Sequence, residues 1–431
     1  MFPGEEHPRQ VPYMLFADAE GQIYDHPEFL CVGRSGKDTV PLQPEDFIPL
    51  PEGTDIFFLP ERKALGYNPE SGKIEEFEED FAVADLVCPA HTQLYLAAYH
   101  SQSESKLPLY AYAAVGWFDD KFWVTATRVD PDIRQDCDQF DQKAVKNNFK
   151  YLSKKWPENR LLQHIGHCAT VYFCPAARNF FQYRWEAPLP TAPKCNARCI
   201  GCISWQPKST GVTSPQNRID FVPTPEEIAQ IAVAHLNRAP NPVDSFGQGC
   251  EGEPLMEWET ILEAVKLIRK QTDKGIINLN TNASKPEAID ELCANGLDSI
   301  RISMNSAQKD IYDAYYRPVG YEFEDLLQSC KNARKHNAWV SLNYFVFPGF
   351  NDCDAEEQAL TNFISEGNPT MTQWRNFNID PEWYSSLFEE APEAFGIKNY
   401  MQRIRDKFPH LYHGYFNPGE EIIRMYLGKD Q

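Results

Sequence analysis

Three cysteines stand close together in the stretch APKCNARCIGCISWQ, residues 192–206: Cys195, Cys199 and Cys202. Their C-x3-C-x2-C spacing is a poor disulfide set, because the number is odd and the loop is short. It suits three irons of a [4Fe–4S] cube whose fourth iron has no protein ligand. An open iron can bind a small molecule, which turns an electron carrier into a reaction site. No other cysteine lies within twenty residues on either side.

A second concentration of ligand-type residues is HIGHCATVYFCPAARNFF, 164–181. His164, His167, Cys168 and Cys174 fall within eleven residues, with Cys137 upstream. One reading is a second iron–sulfur cluster or metal site built from Cys137, Cys168 and Cys174. The other is a pair of buried cysteines on a strand, VYFC, with histidines at its mouth. C-x5-C is off the usual short zinc spacing, so the core reading is favoured. Cys31 and Cys88 are isolated and read as core residues.

The chain that positions these groups has 431 residues, enough for two or three domains. Its net charge of −21 argues against broad contact with a nucleic-acid backbone, which needs Lys and Arg to replace counterions. No run of eighteen apolar residues occurs, so no transmembrane helix is expected. The start, MFPGEEHPRQ, lacks a basic segment followed by an apolar run and does not read as a signal peptide. A cytoplasmic location follows, where twelve cysteines read as metal ligands or core residues.

Residues 1–185 read as a mainly β domain of unknown role. Short β-like runs occur at 11–18, 55–60, 93–99, 109–118 and 122–129, the last two as a hairpin turning at Asp119, Asp120 and Lys121. A helix is predicted over 141–155, ended by Trp156-Pro157. The acidic run Glu75, Glu76, Glu78, Glu79, Asp80 reads as a solvated face.

From 186 to 378 the pattern changes to alternating strands and helices. Thr224-Pro225-Glu226-Glu227 is a helix start with a capping box, and Ser284 with Glu287 reads as another. Strands are predicted at 243–247, 276–280, 299–304, 339–347 and 372–379, with one more just before the cysteine loop. Short links between strands and helices imply a parallel sheet with helices outside. Six βα steps make an open, partial barrel, whose chemistry would sit at the C-terminal strand ends. Cys195 follows the first strand, Glu253 the second, Thr281 and Asn282 the third, Asn305 the fourth.

With these positions in hand, region 186–378 resembles the radical S-adenosylmethionine (SAM) superfamily. The three-cysteine loop follows the first barrel strand, as in that family. GCEGEPL (249–255) is similar to its second-strand turn, where a glutamate binds the methionyl ammonium; Gly252, Glu253 and Pro254 fit. LNTNAS (279–284), IRISMNS (300–306) and LNYFVFPGFND (342–352) resemble strand ends of the branch containing the molybdenum-cofactor cyclase and many peptide-modifying enzymes. By that similarity Thr281, Ser303 and Asn343 would meet the SAM carboxylate or ribose, with Asn282 and Asn305 beside them. Arg375 would reach the SAM carboxylate or substrate, or form a surface or structural salt bridge. Gly201 departs from the family, which commonly has an aromatic residue before the last cysteine.

The resemblance implies a partial (β/α)6 barrel, a [4Fe–4S] cluster and SAM. It implies reductive cleavage to a 5′-deoxyadenosyl radical that abstracts hydrogen from a substrate. A peptide, protein or biosynthetic intermediate is favoured as that substrate, with a one-electron reductant such as flavodoxin or ferredoxin as partner and oxygen-free conditions. The last cysteine here is Cys353, so the branch's C-terminal cysteine-rich domain is not expected, and a second cluster would be expected to come from the N-terminal half. Residues 379–431 form a short extension rich in aromatics, expected to pack on the barrel opening. A non-catalytic iron–sulfur electron-transfer or sensor protein is the alternative. A zinc site completed by a histidine or Cys250 is a third reading.

Overall fold

The structure is a computed structural model that describes residues 6–426 and residue 428. Residues 1–5, which carry part of the leader reading, lie outside the described residues. No described helix is long and apolar enough to cross a membrane.

The N-terminal region is β-rich, as expected. An eight-stranded antiparallel sheet is dominated by a hairpin of two 14-residue strands, Asp55–Asn68 and Lys73–Leu86. The acidic run lies on the second of these strands. The predicted hairpin forms with shorter strands, Val115–Phe118 and Lys121–Val124. Asp119 and Asp120 turn it with φ of 55° and 56°, the left-handed pair that suits the twist of a tight hairpin.

Three helices follow: α1 (Gln142–Lys155), α2 (Arg160–Thr170) and α3 (Pro175–Phe181). Helix α1 starts where its cap predicts, with the Asp141 carboxylate accepting from the Lys143 and Ala144 N–H groups. The expected strand VYFC is a correction. Its residues form the turn between α2 and α3, because Leu161, Leu162, Ile165, Cys168 and Ala169 recur at helical spacing and are buried.

The second unit is a seven-stranded parallel sheet curled into a partial barrel. Its strands are β1 (Glu186–Pro188), β2 (Val243–Phe246), β3 (Ile276–Thr281), β4 (Ser299–Met304), β5 (Trp339–Val346), β6 (Met371–Asn376) and β7 (Tyr412–Gly414). The outer helices are α4 (Pro225–Leu236), α5 (Trp258–Arg269), α6 (Pro286–Ala294), α7 (Lys309–Tyr316), α8 (Phe323–Lys335) and α9 (Asp354–Gly367). The Thr224 capping box forms; the one expected at Ser284 does not. Helix α6 starts at Pro286, and the Ser284 hydroxyl instead accepts from Asn196 Nδ2 at 2.9 Å. Helix α7 was not legible in the sequence.

The seventh strand also differs from expectation. It comes from the 379–431 extension and pairs in parallel with β6, Met371 against Tyr412. The extension therefore completes the sheet as well as packing on it.

The two faces of this sheet differ. Ile277, Leu279, Ile300, Ile302, Leu342 and Trp374 point toward the helices and are fully buried. The register puts Asn278, Asn280, Ser299, Arg301, Asn343 and Gln373 on the other face, toward the barrel interior. Alternation is the normal signature of a sheet with one solvated face. Here the polar face is enclosed, so its groups must find partners inside. Asn278 Nδ2 donates to Asn280 Oδ1 at 2.8 Å, Ser299 to Asn278 Oδ1 at 2.7 Å, and Gln373 Nε2 to Asn417 Oδ1 at 3.1 Å.

The open seam between β7 and β1 is filled from the N-terminal region. Asp130 Oδ2 accepts the Tyr415 and Phe416 N–H groups at 2.8 and 3.1 Å. Arg134 stacks on Trp185 beside β1 and donates to the Asn417 carbonyl beyond β7. A carboxylate holding two buried N–H groups stabilises more than a neutral acceptor would. Asp130→Ala should lower stability by about 2–4 kcal/mol, read from urea unfolding. A loss below ~0.5 kcal/mol would show that the seam does not depend on this carboxylate.

Candidate functional site

The cysteine loop and the 249–255 turn are one structural unit. The Gly252 N–H donates to the Ala192 carbonyl at 2.6 Å, and the Glu253 N–H to the Lys194 carbonyl at 2.9 Å. A Cβ at residue 252 would sit 1.9 Å from the Lys194 oxygen, so only glycine allows this approach. Glu251, between them and 4% exposed, accepts from the Thr191 and Ala192 N–H groups at 2.8 and 2.9 Å. Ser204 Oγ donates to the Glu251 carbonyl at 3.0 Å. The strand exit, the loop and the turn are thus tied at both ends.

Cys195 and Cys199 have their thiols pushed up, Cys195 to about 11, by burial first and then by neighbouring negative charge. That charge comes from Glu253 and Cys202 at Cys195, and from the other two cysteines at Cys199. Arg218 Nη2 donates to Cys202 Sγ at 3.5 Å. Thiols raised in this way are relieved by a cationic centre. The room that an aromatic side chain at 201 would need is occupied: a Cβ there would lie 2.9 Å from Tyr315 Oη of α7. The ring absent at position 201 is supplied from another element. A cleft of about 630 Å³ lined by Arg198, Cys199, Gln206, Arg317 and Trp383 reaches the loop from the surface.

Glu253 is 4% exposed and held by three donors. These are the Thr281 hydroxyl, the Asn282 N–H at 2.8 Å and the Leu255 N–H at 3.0 Å. Burial still raises its carboxyl to about 7. No ion pair is made to it among the described residues. Pro254 opens the short 3-10 turn Pro254–Glu257 that follows. Thr281 and Asn282 therefore meet Glu253 itself, and the Asn282 amide is further engaged by Asn196 at 2.8 Å.

Ser303 and Asn343 face each other across β4 and β5, with Asn343 Nδ2 3.3 Å from Ser303 Oγ. Asn305 follows β4, and its Nδ2 donates to Tyr384 Oη at 3.0 Å. Its turn is held by Glu356, which accepts from the Ser306 hydroxyl, the Ala307 N–H and Tyr344 Oη. Asn343 Oδ1 and Asn305 Oδ1 are both buried without a protein partner. Such atoms are costly unless a ligand satisfies them. With the frustrated thiols and the unpaired buried Glu253, they make a donor set that fits a cationic cluster and a polar, amine-bearing ligand.

Arg375 donates to the Tyr415 carbonyl at 3.0 Å and lies over that ring, with no ion pair among the described residues. Beside it, Arg301 is pushed down to about 9 by burial and by the Arg375 charge. Residue types alone did not mark Arg218, Glu251, Tyr315, Asn278 or Asn280, because their roles arise from contacts distant in sequence. Cys137, Cys168 and Cys174 do not form a group with ligand atoms within 4.8 Å of one another among the described residues. Cys137 is exposed and packs on Gly53. Cys168 lies instead beside His164 and Cys250.

Gly252→Ala should disrupt the pairing of turn and loop, with a loss of about 3 kcal/mol or more in denaturant unfolding. A fully stable alanine variant would refute the close approach.

Residues 189–359 match the radical SAM superfamily. The FeMo cofactor biosynthesis protein NifB of Chlorobaculum tepidum is 22% identical over 50% of this chain and 56% of its own length. A probable dual-specificity RNA methyltransferase RlmN of Fervidobacterium nodosum is 24% identical over 52% of this chain and 66% of its own. A radical SAM methyltransferase structure from Sphaerobacter thermophilus aligns with a TM-score of 0.36 and 16% identity, over 52% of this chain and 63% of that one. The chain spans about half the length of the first of these relatives. With the cysteine loop, the glutamate turn and the parallel sheet in place, the chain carries a radical SAM superfamily domain, of the family that uses a [4Fe–4S] cluster and S-adenosylmethionine.

Proposed function

We propose that this chain is a radical SAM enzyme acting on a polar substrate held inside the barrel. The observation that carries the reading is Glu253: a buried carboxylate, fixed by three donors, lacking an ion pair among the described residues, on a turn bonded to the cysteine loop. When bound, the cluster and SAM supply a 5′-deoxyadenosyl radical that takes a hydrogen atom from substrate.

The protein's own residues do the rest. Cys195, Cys199 and Cys202 hold three irons. Glu253, oriented by Thr281 and Asn282, receives the methionyl ammonium, while Gly252 and Pro254 shape its turn. Ser303, Asn305 and Asn343 orient the carboxylate or ribose with polar atoms that add no charge. Tyr315 and Tyr384, both buried, keep water from this end of the sheet.

Residues 186–378 are read as the catalytic barrel. Residues 1–185 act as a cover that seals the seam, and 379–431 close the mouth and add the last strand. The asparagine- and arginine-lined interior favours a peptide, protein or biosynthetic intermediate. The net charge of −21 disfavours nucleic acid, although three relatives bear the name of an RNA methyltransferase. The cleft at Cys199 is the side from which a flavodoxin or ferredoxin would deliver an electron. Twelve free thiols suit a reducing cytoplasm and oxygen-free work.

Anaerobic reconstitution should load about four irons per chain, and reductant with SAM should release 5′-deoxyadenosine and methionine. Cys199→Ala should abolish that release; if cleavage persists, the enzyme reading fails. An electron-transfer or sensor protein would bind the irons and release nothing.

Glu253 also sets a pH dependence. Its folded pKa is raised to about 7, so its charge penalises the unliganded fold as pH rises from the usual carboxylate range to about 7. A bound ammonium removes that penalty. SAM affinity should therefore strengthen as pH rises through about 7, with proton release below it. Glu253→Gln should weaken SAM binding about 10–100-fold and flatten the profile, measured by calorimetry at several pH values. An unchanged profile would assign the ammonium to another group.

A further inference from the structure

Where helix α2 meets the turn after β2, His164, Cys168 and Cys250 converge. Their ligand atoms all lie within 4.8 Å of one another. His164 and Cys168 are one turn apart on α2, at the i, i+4 spacing that puts side chains on one helix face. Cys168 Sγ is 3.7 Å from His164 Nε2. Cys250 arrives from the turn after β2, three residues before Glu253. Both cysteines are buried, while His164 is half-buried with its ring against the edge of Phe221.

These separations are close to the ligand shell of one ion, with an upper bound slightly beyond it. Two thiolates at about 2.3 Å from a zinc ion can be no more than about 4.6 Å apart, and an imidazole nitrogen at about 2.0–2.1 Å sits closer still. The three atoms need to move only slightly to reach that geometry. A four-iron cube holds its thiolates at separate corners and would spread them farther. Two sulfurs and an imidazole are a borderline-soft set, suited to zinc and not to magnesium or calcium. An ordinary apolar core gains nothing from an imidazole aimed at two thiols, and the half-exposed histidine leaves an entry path.

We propose that His164, Cys168 and Cys250 bind one zinc-class divalent cation that staples helix α2 to the glutamate turn of the barrel. The consequence lies in what the turn already holds. The Cys250 carbonyl accepts the Ile219 N–H at 2.8 Å, Glu251 grips the residues leading into the cysteine loop, and Glu253 follows. An ion at Cys250 fixes this turn from behind, so the N-terminal helices brace the site instead of merely lying beside it. Cys174, the N-cap of α3, and the exposed Cys137 stand outside the set.

The full chain is expressed with zinc in the medium and purified anaerobically, and zinc and iron are quantified together by mass spectrometry. About one zinc per chain is expected beside the cluster iron. Cys168→Ser and Cys250→Ser should lose the zinc and keep the iron. His164→Ala, at a half-buried position that leaves the core intact, should lose zinc to a competing chelator about tenfold more readily. The proposal is overturned if the wild type holds no zinc, if its peptide map shows Cys168 and Cys250 joined as a disulfide, or if His164→Ala retains zinc as tightly as the wild type. The iron reading is separate, so an intact cluster without zinc refutes the staple and leaves the radical SAM reading standing.

Discussion

The bond between the Gly252–Glu253 backbone and the Ala192 and Lys194 carbonyls is the constraint on which this molecule turns. It joins the end of β2 to the exit of β1. A cluster loop and a carboxylate brought by two different strands therefore become a single rigid wall. No side chain can be added at residue 252 without breaking it. Glu251 tightens the same joint from inside, spending its carboxylate on two backbone N–H groups. Glu253, two residues on, is also held by three donors, and it makes no ion pair among the described residues.

The second organising feature is an enclosed polar sheet face. Parallel strands buried on both sides usually read as continuous apolar runs. Here β3 to β6 alternate, and the polar half faces a lumen. Most of its amides pair with one another through Asn278, Asn280 and Asn417. Atoms left without a protein partner include Asn305 Oδ1 and Asn343 Oδ1 at the C-terminal strand ends, and Asn280 Nδ2, Arg301 Nε and Gln373 Oε1 elsewhere on the same face. Unmet hydrogen bonding thus runs along the lumen and reaches the strand ends where a ligand would enter. Arg301 and Arg375 sit in the same lumen with Glu186 as the nearby countercharge.

The N-terminal region is joined to the barrel by specific polar contacts. Asp130 and Arg134 bridge the sheet edges at the seam. Thr92 and Gln93 bond to the β6 carbonyl of Trp374 and the side chain of Asn376. Leu107 N–H donates to Asp380, and a buried Arg62–Asp380 pair lies beside it. Such buried pairs impose one docking geometry more than they add net stability. The region covers the barrel with defined orientation.

The amino-acid sequence by itself determined the cysteine loop, the glutamate turn, the order of strands and helices, and the candidate groups at Glu253, Ser303, Asn305 and Asn343. These are local signals: ligand spacing, capping residues and two-residue alternation act within a few positions along the chain. Tertiary structure decided what depends on distant partners. VYFC reads as a strand in isolation, yet helical packing of the residues before it makes it a turn. Tyr412–Gly414 is too short to announce itself, and only the open edge of β6 makes it a strand. Thr281 and Asn282 serve Glu253 because β3 ends beside the turn. Cys168 lies beside Cys250, eighty-two residues on, because α2 docks against the β2 exit, while Cys137 packs on Gly53. Residue type and spacing state which chemistry is available; only the closing of the chain decides which groups share it.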